Sequence, residues 1–225
     1  DSAGNDSTSE VATFGIDILA PSDLSLTFPS SGEWLNSAIP AFEWSQVTEN
    51  HFLKYEIVVW DSVNGTYDEL IRDSIFDQAT TSYTPSDPLP EDTLYWTVTA
   101  WDSASNSTTA GPGTFYIDIT APTPPTNLNP NNEWVNQSQP DFSFTQATDN
   151  FGVESLYVKV WIVDHPDSSV YWGTLSGDAT GFTPDNSLPD TNLAWSVTAR
   201  DSAGNDSTSE VATFGIDILA PSDLS

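Results

Sequence analysis

Residues 1–25, DSAGNDSTSEVATFGIDILAPSDLS, recur without a change at 201–225. Chance does not produce an identity of that length, so the chain covers one period of a tandem array plus the opening of the next. Each unit of such an array has to close its own core and pass the chain to its neighbour. Inside the period runs a second, weaker repeat. IDILAP at 16–21, IDITAP at 117–122 and IDILAP at 216–221 mark three equivalent linkers. GEWLNSAIPAFEWSQVTEN at 32–50 aligns with NEWVNQSQPDFSFTQATDN at 132–150, and LPEDTLYWTVTAWDSASNST at 89–108 with LPDTNLAWSVTARDSAGNDST at 188–208. The expected organisation is two related but unequal domains, at 17–117 and 118–217. Residues 1–16 then supply the last strand of a preceding repeat, and 218–225 open the following one.

Both domains read as all-β. Apolar and polar residues alternate through Tyr55-Glu56-Ile57-Val58-Val59-Trp60, Tyr157-Val158-Lys159-Val160-Trp161 and Trp195-Ser196-Val197-Thr198-Ala199, and clusters of Asp, Asn, Pro, Ser and Gly separate such runs. The spacing predicts strands near 23–28, 41–46, 55–61, 67–74, 80–84, 94–102 and 110–117. A second series follows near 126–129, 141–146, 156–163, 169–175, 180–183, 193–201 and 209–216. No stretch carries a helical period. Seven short strands per domain fit a β-sandwich. The ordered set Phe42-Glu43-Trp44, Tyr55 to Trp60, LPEDTLYWTVTAWDSASN and FYIDITAP has a substituted counterpart in the second domain, ending in LPDTNLAWSVTARDSAGN and FGIDILAP. It resembles the tandem Ig-like and fibronectin type III-like repeats of bacterial and archaeal surface or filament proteins. The resemblance implies seven-stranded sandwiches in an elongated array, and it carries over no catalytic site.

Charge narrows the function. Four Lys and Arg stand against 33 Asp and Glu, for a net charge of −29. Nucleic acid is excluded as a partner, because its phosphates need basic residues to displace counterions. An anionic membrane surface is excluded for the same reason. No apolar run approaches the ~20 residues of a membrane span, so this segment does not insert. Folding compacts like charges, so salt, acid or bound cations have to offset them. With no cysteine, no disulfide helps.

Catalysis lacks its parts. His51 and His165 fall at unmatched positions in different domains, and there is no Cys and no G-x-S-x-G elbow. The chain is read as not an enzyme. Metal chemistry is better supplied. At one pole of such a sandwich the incoming linker meets the loop after the second strand and the loop before the last. In the second domain these bring Asp118, Asp149, Asn150 and Glu154, and Asp201, Asn205 and Asp206. In the first they bring Asp17, Glu49, Asn50, Asp102 and Asn106. A calcium ion (Ca2+) takes six to eight oxygens from such groups, and a bound ion here would clamp the linker. The same residues also make good turns unaided.

Other features are less specific. Ala121-Pro122-Thr123-Pro124-Pro125 predicts a stiff, polyproline-like joint. Trp44, Trp60, Trp96, Trp161 and Trp195 are expected in the cores. Trp34 and Trp134 are placed in early loops, and Trp101 and Trp172 on outward strand positions. Sequons at Asn64, Asn106, Asn136 and Asn205 permit glycans, as does one at Asn5. The expected function is a structural repeat of a long extracellular, cell-surface fibre or adhesin stalk, giving length and stiffness. Its partners would be neighbouring identical repeats and other copies of the fibre. The alternative is an adhesive module that holds glycans or partner proteins through its loops or exposed Trp.

Overall fold

The computed structural model describes residues 2–4, 6–63 and 66–219. The sequons at Asn5 and Asn64, and residues 220–225 of the segment assigned to the following repeat, lie outside the described residues. Every regular element among the described residues is a strand. The first set is β1 (Leu26–Phe28), β2 (Glu33–Leu35), β3 (Phe42–Trp44), β4 (Phe52–Val63), β5 (Thr66–Ile75), β6 (Ser82–Tyr83), β7 (Thr93–Asp102) and β8 (Ser107–Ile117). The second is β9 (Thr126–Asn129), β10 (Glu133–Val135), β11 (Phe142–Thr145), β12 (Val153–Ile162), β13 (His165–Ser176), β14 (Gly181–Phe182), β15 (Asn192–Asp201), β16 (Asp206–Thr208) and β17 (Ala212–Ile216).

Each set makes a small sheet and a large one. The first pairs β1-β3-β6 and β2-β8-β7-β4-β5; the second pairs β14-β11-β9 and β10-β17-β15-β12-β13, with β16 on β15. Among the described residues no sheet joins a strand of one set to a strand of the other. Backbone packing divides the chain somewhat differently. One compact unit takes in Asp1–Ser31, Ala41–Pro85 and Leu94–Thr114, and the other Gly32–Pro40, Ser86–Thr93 and Phe115–Ser225.

The alternation seen in the sequence is the burial pattern. Along β7, Leu94, Trp96, Val98 and Ala100 are fully buried and the residues between them are not. In β15 the sequence-matched Leu193, Trp195, Val197 and Ala199 are fully buried too, and alternation holds from Trp195 onward, Ala194 also being buried at 3%. Trp96 packs on Phe42 with ring centroids 5.0 Å apart, and Trp195 meets Phe142 edge-on at 4.7 Å. Trp44 is also core, at 3% exposure. Trp60 and Trp161, expected in the core, are not among its buried residues. Val59 and Val160 take the inward positions beside them, and side chains alternate along a strand, so both Trp rings face outward.

Trp34 and Trp134 lie on strands rather than loops. β2 runs parallel to the end of β8 and β10 parallel to β17. These strands span three residues each, too short for any alternation to show. The N-terminal segment gives the sharper lesson. ATFGI at 212–216 forms β17 and buries Phe214 and Ile216, whereas the same five residues at 12–16 form no strand and leave Phe14 86% and Ile16 80% exposed. A strand is stabilised by its cross-strand neighbours, and β17 has β10 and β15 beside it.

All four cations project from the outer faces of the large sheets. Lys54 and Arg72 both hold Glu56, each at 2.8 Å, and Arg72 also holds Glu69 at 2.7 Å. Arg200 binds Asp206 at 2.6 Å and lies 5.3 Å over the Tyr157 ring, while Lys159 lies 5.4 Å over Trp161. The hydrogen bond from Lys54 is the main cause that holds the Glu56 carboxyl below its ordinary range; partial burial opposes it and Arg72 reinforces it. A depressed carboxylate stabilises the fold above its unfolded pKa, and that gain is lost as pH falls through the folded value. Glu56→Gln is therefore expected to cost about 1 kcal/mol at pH 7 and to match the parent at a pH where Glu56 is protonated in both the folded and the unfolded state. Urea titrations at neutral and acid pH check this, and an equal deficit at both would refute it.

Candidate metal centre

Three linker aspartates share one local device. The backbone N–H of Leu19 donates to Asp17 Oδ1 at 3.1 Å, that of Thr120 to Asp118 Oδ1 at 3.2 Å, and that of Leu219 to Asp217 Oδ1 at 3.1 Å. Each is an Asx turn, in which a short carboxylate satisfies the backbone two residues on. A second device clasps the linker to the turn after the long strand. The Asn205 side-chain amide donates to the Asp118 carbonyl at 2.9 Å and to Asp201 Oδ2 at 2.7 Å. In the first set Asn106 donates likewise to the Asp17 carbonyl at 3.2 Å and to Asp102 Oδ2 at 2.7 Å.

Around Asp118 this brings three carboxylates together. One oxygen each of Asp118, Asp149 and Asp201 lies within 4.8 Å of the others. Oxygens that share a calcium ion at 2.3–2.6 Å stand no more than about 5 Å apart, so the spacing fits. Asp118 is 0% and Asp201 1% exposed, and Asp118 Oδ2 is buried with no hydrogen-bond partner. A buried, unpartnered carboxylate oxygen is costly unless a proton or a cation meets it. Burial drives the Asp118 pKa up, and the charges of Asp149, Asp201 and Glu91 push the same way against the Thr120 hydrogen bond. Asp149 is fixed by the N–H groups of Phe151 and Gly152, at 2.9 and 3.1 Å on Oδ2.

The other residues named from sequence are placed as follows. Asn150 is exposed, and its amide, in the orientation its neighbours require, donates to both Asp149 oxygens at 3.2 Å. Asn205 serves through its donor nitrogen. In the first set the cluster is Asp17, Glu49 and His51, again within 4.8 Å. Asp102 lies outside that group, with Oδ1 taken by the Ala104 and Asn106 N–H groups and Oδ2 by the Asn106 amide. Burial raises the Asp102 pKa, but those hydrogen bonds outweigh it and leave the carboxyl lowered. His51 Nδ1 contacts Asp17 Oδ2 at 3.0 Å, and a nitrogen ligand suits calcium poorly. The two poles are thus unequal: the acid-only cluster belongs to Asp118. Asn106 and Asn205 have their amide nitrogens engaged, so a glycan on either would break the linker clasp; Asn136 is exposed.

Glu91 escaped the sequence reading. It accepts from the Ile119 N–H at 2.6 Å and from the Thr120 hydroxyl at 2.9 Å. Its aligned partner Asp190 accepts from the Ile218 N–H at 3.4 Å. The signal was present in the aligned acids of LPED and LPDT, at the strand's far end from the pole under scrutiny.

Comparison with known proteins agrees with this architecture. Residues 121–218 match the family described as bacterial Ig-like domain. Similar solved structures include the FN1–FN3 domains of chicken CNTN1, with TM-score 0.52 and 19% identity over 87% of this chain and 64% of that one. The fibronectin(III)-like modules of Clostridium thermocellum CbhA give 0.53 and 13% identity, over 86% of this chain and 94% of that one. A marsupial T cell receptor gives 0.59 and 10%, over 90% and 76%. At these identities the likeness is one of fold. No curated protein matches the sequence. The chain is therefore built on Ig- and fibronectin III-like β-sandwich domains, with residues 121–218 matching the bacterial Ig-like family.

Proposed function

We propose that this chain is a structural repeat of a long extracellular fibre or adhesin stalk, and that calcium at Asp118, Asp149 and Asp201 stiffens its linker. The observation that carries the reading is the recurrence of one linker device at Asp17, Asp118 and Asp217 in a sequence that repeats itself without change. A chain whose product is length needs each unit only to fold and to hold the linker at a set geometry. Bacterial Ig-like domains are commonly found at cell surfaces, which supports the location. No helix among the described residues is long and apolar enough to cross a membrane. Bound calcium would supply positive charge between carboxylates that otherwise repel, with Asn205 and the Thr120 N–H holding the linker in place.

Pulling the protein from its ends tests the mechanical role. Two unfolding events are expected, with contour gains of roughly 300 Å each for about 100 residues at ~3.3–3.6 Å per residue, and with the second sandwich yielding at higher force in calcium. Extension without resolved force peaks would refute a load-bearing stalk. A second reading, glycan adhesion, rests on Trp172, which is 61% exposed and stacks on Tyr157 at 5.8 Å with rings 28° apart. Glycan-array binding lost in Trp172→Ala would favour it.

A further inference from the structure

Within the one unit that contains all three residues, Trp34 stacks on Tyr116 with centroids 4.3 Å and planes 16° apart, and meets Phe151 edge-on at 5.3 Å. The aligned positions one half-period on are Trp134 for Trp34 and Gly215 for Tyr116, since β10 pairs Trp134 with Gly215 as β2 pairs Trp34 with Tyr116. The Trp134 ring lies directly over bare Gly215 backbone, where a Cβ would come within 2.4 Å of it. It makes no ring contact among the described residues and is 66% exposed. The position aligned with Phe151 is His51, whose side chain is 67% exposed. One aromatic pair is therefore closed, while in its counterpart Trp134 has no ring partner among the described residues and His51, held on Asp17 through Nδ1, leaves most of its imidazole exposed.

We propose that Trp134, with the shallow depression formed by Asn132, Glu133, Val163 and Asn192 beside it, docks the Glu49–His51 loop of a following copy of this chain. The inference rests on the reading of the chain as an array. Three observations support that occupant. Residues 201–225 repeat 1–25, so the segment leaving β17 is the one that leads into the first sandwich. Asp217 and Asp190 hold that exit as Asp118 and Glu91 hold the earlier one. The side chains also match in kind: by alignment, polar His51 and Asn132 occupy the positions that apolar Phe151 and Gly32 hold at the earlier joint. The joints of the array would then alternate, an acid-only cluster with Trp34 and Phe151 at one, and an imidazole with Trp134 at the next.

The test is a protein lengthened by one period, residues 1–225 followed by 26–225, labelled with fluorotryptophan and read by fluorine NMR, with Trp134→Phe assigning the signals. Half of the Trp134 intensity is expected to move to a shielded position, and His51→Ala in the second period should return it. Two equally exposed Trp134 signals, or a shielded one indifferent to His51→Ala, would overturn the docking. X-ray scattering separates this from the parent reading: a lengthened protein no longer than the original refutes the stalk, whereas an elongated one with both Trp134 rings exposed refutes only the docking.

Discussion

Calcium added to chelated protein at fixed ionic strength is expected to raise the melting temperature of the second sandwich by roughly 10–20 °C. A ligand at a hundred times its Kd stabilises by about 2.7 kcal/mol, and each kcal/mol is worth about 4–8 °C in a domain of this size. The more telling result comes from Asp118→Asn. Asp118 Oδ2 is buried without a hydrogen-bond partner beside Asp149 and Asp201. An amide there keeps the acceptor for the Thr120 N–H and turns a donor toward the two carboxylates. The variant should be more stable than the parent without calcium, by about 1–3 kcal/mol, and should lose the calcium response. Ordinary turn chemistry predicts the opposite on both counts: no metal response in the parent, and a variant no better than it. Calorimetry of parent and variant, with calcium and with chelator, decides between them.

Trp195→Ala should cost the second sandwich about 3–5 kcal/mol. The ring is fully buried, contacts Phe142 and Phe182, and donates its indole N–H to the Pro130 carbonyl at 2.9 Å. Truncation leaves a cavity and an unpaired carbonyl together. Trp172→Ala, on the outer face of the same sheet, should stay within about 0.5 kcal/mol of the parent. Urea titrations followed by circular dichroism read both. Equal costs would mean that the outer aromatic face is covered in solution.

The contrast between those two tryptophans shows what the sequence made legible. Strand parity identified Trp96 and Trp195 as core, because a buried residue at every second position leaves a two-residue period that needs no tertiary knowledge. Parity also assigns Trp60 and Trp161 to the outer face, one position out of step with the buried Val59 and Val160. The short parallel strands β2 and β10 left no period to read. At the metal pole, loop adjacency brings Asp118, Asp149 and Asp201 to one place, and one oxygen of each lies within 4.8 Å of the others. Whether an acid points at its neighbours or at its own turn depends on rotamer and backbone, which is why Asp102 was grouped with Asp17 and is in fact held by Asn106 and Ala104. His51 was set aside as unmatched, yet its mismatch with Phe151 is what distinguishes the two poles.

With all four cations already held on carboxylates or over aromatic rings of the sheets, the acidity of the chain has a colloidal consequence. Dispersion of the protein then rests on the repulsion from its net charge of −29, which falls off within about 10 Å at 0.1 M salt. Added sodium chloride therefore acts in two directions at once, relieving the crowding of carboxylates within each sandwich while lowering the barrier that keeps molecules apart.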